Sequence, residues 1–223
     1  MNSRVKIAIS EVKDGTMKRN GAEVAVVDKN RQVFLKANAM ELDDAVLVQL
    51  DYNTEDFCRY AVIDSSAAGE GLVREGRIAD GLATQEKGLA LFLPLADCIG
   101  VVLYDPEHEV LMLTHLGRHN LEQNGGQKSV EFMKEQFGSK PENIEVYFSP
   151  SAGKENYPVF SFGGKSLAEV AMSQLEAAGV KSENIELSAI DTTKDKRYHS
   201  HSEFLKGNRT DDGRFAIAAM LTS

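Results

Sequence analysis

The sequence predicts an α+β fold of mixed α/β layers, a central β-sheet built from hairpins with helices packed against it. Three patterns predict it. Apolar, β-branched runs come in pairs around short polar turns. Two amphipathic helical stretches each lead into a strand through nearly the same connection, GSKPENIE from Gly138 and GVKSENIE from Gly179. The chain then closes on a seven-residue apolar run, Phe215 to Leu221. Helix-to-strand units laid beside hairpins are the signature of helices covering one side of a sheet.

From the N-terminus, Val5 to Ser10 and Ala22 to Val27 read as a first hairpin around the turn-rich Lys13-Asp14-Gly15-Thr16. Asn30 is suited to cap a helix carrying Val33, Phe34 and Ala37 at helical spacing. Ala45 to Leu50 reads as a strand ending at Asp51, and Thr54 to Ile63 as another, with Cys58 near its start as a packing residue. Asp64 to Gly71, DSSAAGEG, is a loop of small residues, suited to cover a site or to remain unstructured. Asp80 to Thr84 leads into the apolar run Gly88 to Ala96.

After Asp97-Cys98 come two strands, Ile99 to Tyr104 and Val110 to His115, around a polar turn. Two registers are open, one pairing Tyr104 with Val110 and one pairing it with Glu109. Either brings Cys98 and His115 within about one residue of each other across the ladder, where opposite side chains stand roughly 5 Å apart. A one-residue slip changes the face on which a side chain emerges.

Further on, Gln127 to Phe137 is a helix with Val130, Met133 and Phe137 on one face and Gly138 as its stop. Its start, near Gly125 and Gly126, offers free N–H groups to an anion. Ser166 to Ala178 is a second helix, and Val146 to Ser149, Leu187 to Ile190 and Phe215 to Leu221 are strands. His199 and His201 alternate in a polar stretch and would project to one side of an extended segment, toward a metal or a phosphate.

Composition narrows the function. Lys and Arg number 25 against 34 Asp and Glu, a net charge of -9 with no basic stripe, which argues against a nucleic-acid partner. No apolar run approaches the roughly 20 residues of a membrane span, and the polar start lacks a signal peptide's core. The expectation is one cytoplasmic domain over residues 1–223, its two cysteines reduced.

A thiol and an imidazole at neighbouring strand ends support three readings. His115 takes the proton of Cys98 and leaves a nucleophilic thiolate; the two hold a borderline-soft metal such as zinc; or Cys98 is a buried structural cysteine beside a satisfied histidine. Asp97, a carboxylate at the end of an apolar strand, favours a functional pair and joins Cys98 and His115 as a candidate catalytic residue.

The run Thr84 to Pro106, TQEKGLALFLPLADCIGVVLYDP, then THLGRHN from Thr114 and YFSPSAGKENYPV from Tyr147, resembles the laccase-domain family. Its members are described as polyphenol oxidases and as zinc-containing purine nucleoside phosphorylases. The family pattern is A-D-C-x-x-V-L-L-x-D, then H-A-G-W-R-G, then G-P-x-I-x-x-x-x-Y-x-V. Asn30-Arg31 and the following strand into Gln49 are similar to its N-R helix and Q-V-H-G segment, and Gly213-Arg214 to its closing G-R. Three departures stand out: Asp51 in place of the histidine of Q-V-H-G, Gly117-Arg118-His119-Asn120 in place of G-W-R-G, and no arginine in Tyr198-His199-Ser200-His201-Ser202.

The resemblance implies zinc held by Cys98, His115 and Asp51, the last replacing a histidine. It also implies phosphate and nucleoside binding by Arg118, His119, Asp80, His199 and His201. The implied reaction is phosphorolysis of inosine or adenosine, with adenosine deamination as a companion activity. Copper fits less well, since five histidines cannot readily furnish several copper sites. Two alternatives differ in class: a metal-free Cys-His hydrolase or deamidase, and a non-enzymatic binding relative with an eroded site.

Overall fold

The computed structural model describes residues 4–19 and 23–222. Its elements are β1 (Val5–Ile9), α1 (Val24–Ala37), β2 (Ala45–Leu47), β3 (Tyr60–Val62), β4 (Gly81–Thr84), β5 (Ala90–Leu95), β6 (Ile99–Asp105), β7 (Val110–Leu116), α2 (Arg118–Glu122), α3 (Gly125–Phe137), β8 (Glu145–Phe148), α4 (Leu167–Ala177), β9 (Ile185–Glu186), α5 (His201–Leu205) and β10 (Phe215–Leu221).

The α+β class holds, with two sheets where one was expected. One sheet has the order β1-β10-β5-β2 and the other β3-β4-β7-β6-β8-β9. They pack face to face: Leu91, Leu93, Leu95 and Ile217 of the first share a core with Leu82, Val102, Leu111 and Leu113 of the second. Helix α1 covers the outer face of the first sheet, where Phe34 and Leu35 meet Phe92, Ala216 and Ala218. Helices α3 and α4 cover the outer face of the second, where Val130, Met133, Val170 and Leu175 meet Ile99, Val101 and Met112. Four layers leave both faces of the inner strands dry, which is why β5, β6, β7 and β10 are buried throughout and read as unbroken apolar runs rather than alternations. Truncating such a side chain, Leu93→Ala for instance, costs about 2–5 kcal/mol.

Several local expectations change. Val24 to Val27 is helix, not strand, and α1 begins six residues before Asn30; Ala22 lies outside the described residues. The valines misled because Val24, Val26 and Val33 are exposed, while Val27, Arg31, Phe34 and Leu35 form the buried stripe. Ala37 is exposed as well. Only Tyr60–Val62 of the predicted Thr54 to Ile63 strand is extended in a ladder. Residues 64–71 are built rather than loose: a 3₁₀ turn at Ser65–Ala67, then N–H groups of Gly69 and Leu47 donating to the carbonyls of Ala45 and Glu70, each at 2.9 Å. The strand predicted at Leu187 to Ile190 falls at Ile185–Glu186, starting one residue earlier in its connection than β8 does, and β8 and β9 pair in parallel.

The central pairing matches neither anticipated register. Tyr104 faces Leu111 and Asp105 faces Val110, because Asp105 is the last residue of β6 and the turn is shorter than its polarity suggested. Gly100 is thereby opposite His115, and Ile99 opposite Leu116.

Candidate functional site

The site forms where the chain passes from one sheet to the other. β5 belongs to the first sheet and β6 to the second, and the crossing is Ala96-Asp97-Cys98. Pro94 fits in β5 because the β2 ladder ends at Phe92, so its missing N–H interrupts nothing on that side. Asp97 has φ of 72°, a left-handed conformation that aspartate tolerates better than most residues. Its buried carboxylate accepts hydrogen bonds from the Thr192 hydroxyl at 3.0 Å and the Ser202 N–H at 2.7 Å. Asp97 therefore ties the crossing to the start of α5. Gly100 lets the sheets close at this end: a Cβ there would stand 2.5 Å from Ile217 Cγ2.

Cys98 and His115 converge on Gly117. A Cβ at Gly117 would lie 2.8 Å from Cys98 Sγ, 2.8 Å from His115 Cε1 and 3.3 Å from His115 Nε2. Thiol and imidazole thus share the floor of a cavity of about 450 Å³. Burial pushes the Cys98 thiol up to about 12, with the Asp97 charge adding to the rise and Arg214 opposing it. Burial pushes His115 down to about 4, against the charge of Asp80 and the side chain of Asn120. At neutral pH the pair is a thiol beside a neutral ring.

Cations crowd the cavity although the chain is acidic overall. Lys18 precedes α1, Arg118 opens α2 and Arg214 precedes β10; all three line it. Arg214 also donates to Asp212 Oδ1 at 2.6 Å, and His201 Nδ1 meets the same oxygen at 2.6 Å. His119 lines the cavity with its ring stacked on Phe57, centroids 4.7 Å apart. Leu50, Tyr52, Tyr157 and Leu205 add apolar and aromatic surface to its lining.

The predicted residues therefore divide. Cys98, His115, Asp97, Arg118, His119 and His201 come together. His199 does not: it is buried against Gly213, pairs with Asp211 at 2.9 Å and lines a separate cavity of about 260 Å³. The segment is not extended through this pair, since His201 starts a helix, and the two rings part. Asp80 is buried behind the site. Its carboxylate accepts from Arg59 Nε at 2.8 Å, while its carbonyl accepts the His115 N–H at 2.8 Å, so it supports the floor without lining the cavity. The start of α3 is closed to anions too: Gly125 and Gly126 are buried, and the Gly126 N–H donates to Gln174 Oε1 at 3.0 Å.

Asp51 also turns away. Its carboxylate accepts the Asn53 N–H at 2.9 Å and lies 3.9 Å from Arg59 Nη1, and the neighbouring Tyr52 lines the cavity instead. Among the described residues no group of three or more His, Cys, Asp and Glu side chains is arranged to hold a metal ion. Cys98 and His115, with no third donor arranged beside them among the described residues, do not fit the three-ligand zinc centre implied by the resemblance.

Lys18, Tyr52, Tyr157 and Arg214 line the site beyond the residues its motifs indicate. Arg214 and Tyr157 carry a sequence signal, the Gly-Arg pair before the last strand and the tyrosine of the Y-x-V match; Lys18 and Tyr52 carry none.

A two-layer sheet core clad in helices, with a Cys-His floor at the sheet crossing, defines a class of fold and site. The model of the family described as multi-copper polyphenol oxidoreductase laccase matches residues 16–164, and the chain belongs to that family. A purine nucleoside phosphorylase of Bacteroides thetaiotaomicron is 22% identical over 214 residues, 85% of this chain and 77% of that protein. Another, from Corynebacterium glutamicum, is 31% identical over 140 residues, 62% of this chain and 53% of that protein. Among solved structures, YlmD from Geobacillus stearothermophilus is similar at a TM-score of 0.88 and 20% identity, covering 99% of this chain and 93% of that one. YfiH from Bacillus licheniformis gives 0.85 at 20% identity, covering 98% and 93%. These likenesses to solved structures establish the fold.

No helix among the described residues is long and apolar enough to cross a membrane.

Proposed function

We propose that the protein cleaves purine nucleosides with inorganic phosphate, taking inosine or adenosine to the free base and ribose 1-phosphate. The observation that carries this reading is the convergence of Cys98 and His115 in a cavity that three cations and two tyrosines also line. Names borne by relatives agree with it.

Lys18, Arg118 and Arg214 bind the phosphate, and Tyr52, Tyr157, Leu50 and Leu205 pack the nucleoside. Held together, the two reactants meet as in an intramolecular step. A phosphate oxygen forms the new bond to C1′ as the bond from C1′ to the purine nitrogen breaks, and the proton carried in by phosphate ends on the purine. The S–H of Cys98 and the neutral ring of His115 face the reacting bond as hydrogen-bonding groups. No part of this sequence is assigned to a metal, because Asp51 does not complete a donor set with them.

The test is cleavage of inosine and adenosine with and without phosphate. Turnover should require phosphate and fall at least about 100-fold in Cys98→Ala and His115→Ala. Arg118→Ala should raise the KM for phosphate. Cleavage that ignores phosphate would overturn the assignment. A second reading, a binding protein that holds a nucleoside without turning it over, draws on the displacement of Asp51; inosine binding without any product would support it.

A further inference from the structure

Two of the three cations lie on segments far apart in sequence, and helix α1 stands behind the junction that unites them. On one side, the segment leading to Lys18 is tied to the start of β10: the Met17 N–H donates to the Arg214 carbonyl at 2.8 Å, and the Arg214 N–H donates to the Thr16 hydroxyl at 3.0 Å. On the other side it is tied to α1. Asn30 Nδ2 donates to the Thr16 carbonyl at 3.1 Å, and Arg31 Nε donates to the Met17 carbonyl at 2.8 Å.

Among the described residues Arg31 makes one hydrogen bond, from a costly position. It is 3% exposed and lies over the Phe92 ring at 5.9 Å. Its Nη1 has no hydrogen-bond partner among the described residues, and the nearest carboxylate oxygen, of Asp28, is 3.9 Å away. Burying a guanidinium with so little pairing opposes folding. Asn30 is also specifically accommodated: a Cβ at Gly15, whose φ is 79°, would stand 2.3 Å from Asn30 Nδ2.

We propose that Asn30 and Arg31 are positioning residues that hold the Thr16–Lys18 segment against Arg214, so that two cations stand at a set spacing for one anion. This rests on the phosphate reading of the cavity and names what sets the geometry of its anion-binding wall. Like charges kept close by backbone bonds repel until an anion arrives between them, so the cost of holding them is met by folding and the gain appears on binding. Consistent with that closeness, the Lys18 ammonium is pushed below its ordinary range by desolvation and by the charge of Arg214, against Asp212.

The test uses the full chain with its lysines reductively methylated with ¹³C, and inorganic phosphate as the probe. The Lys18 signal is the one missing from Lys18→Arg. In the unsubstituted protein it should stand apart from exposed lysines and move with phosphate. In Arg31→Gln and Asn30→Ala it should shift to the exposed-lysine position. Phosphate affinity should fall about tenfold, and KM for phosphate should rise with kcat changed less than about twofold. Arg31→Lys, which keeps a donor, should restore part of both. If Arg31→Gln does not fold, the half-buried Asn30→Ala carries the test alone. A folded variant with an unchanged Lys18 signal and unchanged phosphate affinity would overturn the proposal. Phosphate that leaves the unsubstituted Lys18 signal in place would instead overturn the function proposed above, and the anion's part here with it.

Discussion

Gly117 is packed so closely against Cys98 that a Cβ at position 117 would lie 2.8 Å from the sulfur. The φ of Gly117 is −98°, which any residue can adopt, so glycine is required here for space rather than for backbone freedom. Gly117→Ala should therefore fold and yet push the thiol and the His115 ring apart. Nucleoside turnover should fall about 100-fold while the melting temperature drops by only a few degrees. A variant within twofold of the parent would show that the spacing of the pair is immaterial.

Cys98 should behave as a sluggish nucleophile. With burial holding its thiol up near 12, alkylation by iodoacetamide should be slower than for a free thiol and should climb with pH through 9 without a plateau. Peptide mass spectrometry after timed quenching separates it from Cys58, whose thiol is also raised by burial. Rapid, pH-independent labelling of Cys98 near neutrality would reveal a resting thiolate and favour a Cys-His hydrolase.

His115 gives stability a pH dependence of known sign. Its folded value, pushed down to about 4, lies below the roughly 6.5 of an unfolded histidine. Between the two values the unfolded chain binds the extra proton, so stability rises with pH across this window and is lost as the medium becomes acid. Compared with His115→Gln in urea melts, the parent should lose about 2 to 3 kcal/mol more on going from pH 7.5 to 4.5. Parallel pH curves for the two proteins would contradict a ring buried in its neutral form.

Asp97 holds the crossing to α5, and its role divides by substitution. Asp97→Asn keeps a side chain that tolerates the left-handed backbone and loses the charge on the two accepted hydrogen bonds. Asp97→Ala loses both bonds and strains the backbone, and it should cost about 2–4 kcal/mol, the larger loss of the two. Denaturant midpoints at constant m-value read the order directly. Equal losses would mean that the carboxylate does not anchor the crossing.

Much of this architecture was legible because packing repeats a local pattern. β10 runs over the Phe215 to Leu221 stretch that its apolar run indicated, and α3 stops at Gly138, whose φ of 74° explains the stop. Cys98 and His115 stand out in the sequence because strand ends and residue chemistry coincide in one stretch of chain. Tyr52 and Lys18 could not be found that way, since neither belongs to a pattern and each reaches the cavity only through sheet topology. The opening of α1 resembles a strand for a simpler reason: exposed valines alternate there as they would in a strand, and the buried stripe becomes visible only with Phe34 and Leu35. His199 and His201 looked equivalent in spacing, yet the helix that begins at His201 sends them to different cavities.

The most direct measurement is phosphorus NMR of inosine and inorganic phosphate incubated with the protein. The signal of ribose 1-phosphate should grow at the expense of inorganic phosphate with the parent protein and stay absent with Cys98→Ala. Free ribose in its place, or an unchanged phosphate signal beside intact inosine, would contradict the account.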